Sequence, residues 1–117
     1  MASEVDPDLK KLLSRKLRQI CYMWAPRTEA LRAAKVGWGK YVCADCLETC
    51  PRKEVAIDHI EPVVPVTGWV NWDDEINRLF CKKEGFQILC KPCHKIKTNK
   101  ENAERRIHRK AAKPVLK

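Results

Sequence analysis

Residues 86–98 read FQILCKPCHKIKT, and the organisation of the chain follows from this stretch. Its opening, FQILC, is a short apolar run of the kind that forms a buried strand. From Pro92 the run PCHKIKTNKENAERRIHRKAA is polar and strongly helix-forming, with Lys and Arg concentrated toward its C-terminal half. Cys90 and Cys93 stand across the expected strand-to-helix junction, and His94 follows at once.

A second pair with the same two-residue spacing, Cys43 and Cys46, lies in KYVCADCLETCP, which reads as a strand entering a metal knuckle. Four thiolates from two such pairs make the closed tetrahedral shell that structural Zn²⁺ prefers. Cys50 is near enough in sequence to replace Cys46, and Pro51 would suit a knuckle turn, but the two-residue spacing favours Cys43 and Cys46. Cys21 and Cys81 fall on apolar faces of expected helices and read as small core residues. Seven cysteines, an odd set with two close pairs, favour metal over disulfides in a reducing compartment. Such an ion contributes on the order of 10 kcal/mol to the folding of a small domain, which matters for 117 residues with limited apolar surface to bury.

Between the cysteine pairs lies VAIDHIEPVV (55–64), in which Asp58 and His59 end a β-branched strand just ahead of a proline loop. The zinc frame ties the segment before this pair to the segment carrying His94, so His59 at a strand end and His94 near a helix start are expected to face one cleft. The run WDDEINRLFCKKEG predicts a further helix with Asn71 as its cap, Asp73 and Asp74 in the first turn, and Gly85 as its stop. Toward the N-terminus, Leu9, Leu12, Leu13, Leu17, Ile20 and Cys21 recur at near-helical spacing, with Asp6 or Asp8 at the start, and a shorter helix over 26–36 should close at Gly37. Pro114 marks a tail. The domain reading is a basic helical segment (1–39), a zinc-braced core (40–112) and a flexible tail (113–117).

The net charge is +9, with 9 Lys/Arg against 4 Asp/Glu in 1–42, 5 against 9 in 43–90, and 10 against 2 in 91–117. Basic flanks around an acidic centre fit a polyanion gripped on both sides and presented to a metal. No apolar run approaches a membrane span, and MASEVDPDLKK has no secretory pattern, so the expectation is a cytoplasmic protein with no membrane partner.

The strings IDHIEPV and GFQILCKPCHKIKT resemble the HNH endonuclease family over about residues 40 to 100, with the Asp-His pair, both cysteine pairs and the CH-x-x-KT ending in the family's order. RQICYMWAPRTEALRAAKV is also similar to the N-terminal segment of small phage-borne members. The resemblance implies an α+β fold, a ββα-metal core braced by zinc, with N-terminal helices and a basic C-terminal helix. It also implies a metal-dependent hydrolase that nicks double-stranded DNA with low sequence specificity, acting as a monomer or weak dimer in the host cytoplasm if phage-encoded. Carried over by position, Asp58 and His94 hold the catalytic divalent ion, Mg²⁺, Mn²⁺ or another, and His59 is the general base. The family's middle asparagine is absent where Gly85, Phe86 and Gln87 stand, so that role is vacant, met by backbone, or filled by Gln87, Asn77 or Asn71. Lys95, Lys97, Lys100, Arg105, Arg106 and Arg109 are the expected phosphate contacts. His108 reads as a surface residue and Glu61 as a solvated loop acid. Two rival readings are a non-catalytic zinc-stabilised DNA-binding module, and an accessory subunit active only beside a phage terminase or packaging partner.

Overall fold

Asp6 opens the first helix, α1 (Pro7–Cys21), by accepting hydrogen bonds from the backbone N–H groups of Asp8 and Leu9, so of the two acids it is Asp6 that caps. The computed structural model describes residues 5–112, and the tail expected at 113–117 lies outside them. A second helix, α2 (Ala25–Ala33), is followed by strands β1 (Lys35–Gly37), β2 (Lys40–Val42) and β3 (Thr49–Pro51) in one antiparallel sheet. Next come β4 (Val55–His59), α3 (Trp72–Leu79), β5 (Phe86–Cys90) and α4 (Lys91–Ala112), with β4 and β5 pairing antiparallel as a second sheet. The architecture is therefore mixed α+β: two small antiparallel sheets and four helices around a cysteine cluster.

Two expected boundaries move. The helix foreseen to Val36 stops at Ala33, because Lys35 pairs with Tyr41 and the Ala34 carbonyl accepts from Val42 N–H at 2.9 Å. The helix foreseen to Gly85 stops at Leu79, where Phe80 leaves helical geometry with φ −101° and ψ 57°. The carbonyls released there are taken up by distant side chains: Leu79 accepts from Cys21 Sγ at 3.2 Å and bonds His59 Nε2 at 2.9 Å, and Cys81 accepts from Trp24 Nε1 at 2.7 Å. Tertiary donors thus end the helix before its glycine. The Asn71 cap forms as expected, accepting from Asp74 N–H at 2.7 Å.

The apolar stripe of α1 is only partly used. Leu17 and Cys21 enter the core, whereas Leu9, Leu12, Leu13 and Ile20 remain exposed. The stripe is wider than the contact, and the face given to the body also carries Ser14, bonded to Glu75, and Lys10, over the Trp69 ring.

The core has two parts joined by β5, which is buried almost throughout. Phe86 packs with Cys21, Ala30 and Leu79, while Leu89 packs with Cys43, Cys90 and Cys93. In the paired register Asp58 faces Gln87 and His59 faces Phe86 across the sheet. Adjacent residues of a strand point to opposite faces, so Asp58 lies toward α4 and His59 toward the Phe86 side of the core. Leu79 is 2% exposed at the junction of α1, α2 and β5. Leu79→Ala is expected to cost about 2–5 kcal/mol in a denaturant melt, the range for a large aliphatic side chain removed from a packed core.

Candidate functional site

The zinc frame is built at two turns. Cys43 follows β2, and the knuckle closes through Leu47 N–H donating to the Cys43 carbonyl at 3.0 Å and Cys43 N–H to the Glu48 carbonyl at 2.9 Å. Leu47 adopts the left-handed conformation, φ 65°, which a non-glycine side chain occupies at a steric cost of roughly 1–2 kcal/mol. Ala44 N–H donates to the Ile88 carbonyl at 2.8 Å, fastening the knuckle to β5. On the other side Cys90 ends β5, and Pro92 sits in the first turn of α4, where a missing N–H is harmless; Cys93 completes the set.

The four sulfurs of Cys43, Cys46, Cys90 and Cys93 all lie within 4.8 Å of one another, with Cys46 and Cys90 3.7 Å apart. Sulfurs at ~2.3 Å on the corners of a tetrahedron are roughly 3.8 Å apart, so the set fits a zinc ion. Cys50 packs against this cluster but is not one of the four. Burial pushes the Cys43 thiol up, but hydrogen bonds from backbone groups of Cys90, Cys46 and Asp45 outweigh it and bring it down to about 6. Cys93 is pushed up, first by its bond with the Cys90 thiol and then by burial. The Cys43 thiolate forms readily, while Cys46 and Cys93 beside it resist ionisation, a crowding that a dication relieves.

Asp58 is the second centre. Its Oδ2 accepts from Gln87 Nε2 at 2.9 Å and pairs with Lys97 Nζ at 3.1 Å, while Oδ1 lies 3.6 Å from His94 Nε2. Two ligand atoms each ~2.1 Å from one hard cation stand about 3–4 Å apart, so Oδ1 and Nε2 can share an ion while Oδ2 remains held. Of Gln87, Asn77 and Asn71 it is Gln87 that touches Asp58; Asn71 is the α3 cap and Asn77 lines a different cavity. Gly85 has no room for an asparagine, because a Cβ there would lie 2.5 Å from Cys81 Sγ.

His59 bonds the Leu79 carbonyl through Nε2 at 2.9 Å and packs its ring on Phe86, centroids 4.7 Å apart. A carbonyl only accepts, so Nε2 carries the proton and Nδ1 keeps its lone pair. Burial holds His59 below its ordinary value, with Arg27 and Arg18 adding to the effect against the Leu79 bond and the Asp58 charge.

Asp58, His59 and His94 line one cleft of about 550 Å³, together with Arg18, Arg27 and Arg105. Arg18 and Arg27 come from the N-terminal helices, and no spacing in the sequence marks them as partners of the Asp-His pair. The basic residues of α4 divide. Lys97 turns inward, bonding Asp58, Glu101 at 2.9 Å and the His59 carbonyl at 3.1 Å. Burial pulls its ammonium down, but the bonds and charges of Glu101 and Asp58 raise it further, so Lys97 acts as an internal cation. Arg105 donates to the Val64 carbonyl at 3.0 Å, Lys100 and Arg109 border other cavities, and Lys95 and Arg106 are exposed. The six therefore do not make one phosphate-binding face. His108 is exposed, and Glu61 is exposed with Arg78 at 3.6 Å.

Comparison with protein-family models, curated proteins and solved structures gave no match. Among the described residues no helix is long and apolar enough to cross a membrane. The geometry establishes an α+β domain with a four-cysteine cluster able to hold a metal ion. Stripping metal with a strong chelator, or substituting Cys90→Ser, is expected to abolish the cooperative unfolding transition seen by circular dichroism. Leu47→Gly is expected to keep one zinc per chain by metal analysis and to raise stability by about 1 kcal/mol, as the left-handed strain is relieved.

Proposed function

We propose that the chain is a metal-dependent phosphodiesterase of the HNH type that nicks DNA, with β4, β5 and α4 as its ββα-metal core. The observation that carries this reading is the convergence of Asp58, His59 and His94 on one cleft edged by Arg18, Arg27 and Arg105. The strand end brings them together although Asp58 and His59 leave opposite faces of the sheet.

In this scheme the three arginines hold the phosphodiester, and His59 Nδ1 takes a proton from a water whose oxygen bonds to phosphorus. The phosphorus–O3′ bond breaks, and the departing oxygen takes its proton from solvent. Asp58 and His94 would hold Mg²⁺, Mn²⁺ or another divalent ion, which supplies positive charge to the phosphoryl oxygens and the leaving group when bound. Gln87 and Lys97 orient Asp58, so Lys97 is a positioning residue in place of the phosphate contact expected from its charge.

The competing reading, a zinc-stabilised DNA-binding module without catalysis, draws on the same Lys97, whose ammonium already partly neutralises Asp58, and on the missing asparagine. Supercoiled plasmid with Mg²⁺ or Mn²⁺ separates the two. The catalytic reading expects relaxed circles in metal and none in EDTA, with His59→Ala lowering the rate at least ~100-fold while keeping its zinc. Retention of full activity by a folded His59→Ala protein would exclude it.

The depressed His59 has a definite pH signature. A histidine held below its ordinary 6.5 contributes stability that is fully present above that value and is lost as pH falls through the depressed one. Activity should follow the same course, since protonation removes the Nδ1 lone pair. The acid limb of the rate profile is therefore expected below pH ~6.5, and an acid limb above it would contradict the assignment.

A further inference from the structure

Glu75 on α3 is 2% exposed, and both of its carboxylate oxygens lean on one donor, the Ser14 hydroxyl, at 3.0 and 3.3 Å. Among the described residues no Lys, Arg or His nitrogen lies within 4.0 Å of it. One hydroxyl proton serves one oxygen at a time, so most of the acceptor capacity of this carboxylate is unused. Trp69 also has a buried indole Nε1 with no hydrogen-bond partner. A buried indole N–H without a partner, beside a buried carboxylate served by a single hydroxyl, is uncommon in a folded protein.

Both residues line a second cleft, about 640 Å³, between α1 and the segment after β4. Its rim carries Lys10, Lys11, Arg15 and Arg18. The Trp69 ring presents a face to Lys10, whose ammonium lies 3.4 Å from the centroid, and meets Trp72 edge-on with centroids 5.3 Å apart. None of Glu75, Ser14 or Trp69 takes part in the proposed hydrolysis. The two clefts share Arg18, Tyr22 and Val64, so they adjoin.

We propose that this cleft binds a guanine nucleotide, with the base on Trp69 in the place now taken by the Lys10 ammonium, its edge donors on Glu75, and its phosphate against Lys11 and Arg15. The basic rim disfavours a purely cationic ligand, and the inner carboxylate disfavours a purely anionic one. The ligand must be anionic at one end, flat in the middle and rich in N–H donors at the other. Guanine is the base whose pairing edge offers two adjacent donors, N1–H and the 2-amino group, to match two carboxylate oxygens. Adenine, cytosine and thymine each offer fewer. Because that edge is engaged in a duplex, the nucleotide must be extruded or already unpaired. As part of a DNA strand the guanine is a substrate feature, which rests on the nucleic-acid reading of the first cleft; as a free nucleotide it does not.

Tryptophan fluorescence of the zinc-loaded protein, titrated without divalent cofactor against 5′-dGMP, 5′-dAMP, 5′-dCMP, 5′-TMP and inorganic phosphate, tests the pocket alone. The expected result is about tenfold tighter binding of 5′-dGMP than of any other, with the preference lost in 5′-dIMP, which lacks the 2-amino group, and in Glu75→Gln. Glu75→Gln is nearly isosteric and should melt no lower than the parent, since it removes a buried carboxylate that lacks a cation. Should it fail to fold, Lys10→Ala decides: with the Trp69 face uncovered, deoxyguanosine should bind about threefold tighter, and weaker binding overturns the proposal. Equal affinity for the four nucleotides, or a guanine preference kept by Glu75→Gln, also overturns it.

Mapping nicks on DNA distinguishes the strand from the free nucleotide. A guanine at a fixed offset from the cut in the parent, randomised in Glu75→Gln, places the base of the substrate strand in the cleft. Selective 5′-dGMP binding with no cleavage in any metal supports the pocket and refutes the hydrolase. Cleavage with equal nucleotide affinities does the reverse.

Discussion

Four sulfur atoms that must meet at one point are the constraint on which the rest of the structure depends. They draw the knuckle after β2 onto the junction of β5 and α4, segments more than forty residues apart in sequence. The main-chain bond from Ala44 to Ile88 reinforces that closure. Because Cys93 sits in the first turn of α4 and Cys90 ends β5, the clamp sets the angle at which the helix leaves the strand. His94, the next residue, is therefore aimed by the same constraint. Among the described residues few apolar side chains are fully buried, and a metal held by the four cysteines would supply rigidity that a core of this size does not.

Asp58 is the electrostatic centre of the candidate active site, and its surroundings divide its two oxygens. Oδ2 is held by Gln87 and Lys97, and Oδ1 faces His94. Lys97 in turn links Asp58, Glu101 and the His59 carbonyl, so one ammonium fixes α4 against the end of β4. His59 is positioned from the opposite side by the Leu79 carbonyl at the frayed end of α3. A helix that stopped at its glycine would have kept that carbonyl in its own ladder. The early end of α3, where Trp24, Cys21 and His59 supply the missing partners, is therefore tied to the orientation of the imidazole.

Much of this was legible in the sequence because it depends on local spacing. The zinc ligands follow from two pairs of cysteines at a spacing that lets both sulfurs reach one ion. Strand β5, the cap at Asn71 and the long polar helix α4 follow from composition and capping chemistry. The inward turn of Lys97 was not legible, since its charge is the same whether it meets a phosphate or a buried carboxylate. Nor was the partial exposure of the α1 stripe, since periodicity shows which residues share a face and says nothing of how much of that face finds a partner.

By itself the sequence determined the cysteine frame and the α+β class of the fold, because each rests on short-range geometry that few side chains satisfy. It named Asp58, His59 and His94 as candidates, and the packing of the elements puts them on one cleft. Tertiary structure alone decided that Arg18 and Arg27 join the cleft, that Gly85 yields its space to Cys81, and that Glu75 is buried with one hydroxyl for company. These are contacts between segments distant in the chain. Their energies depend on distance and burial, which are set only when the elements pack.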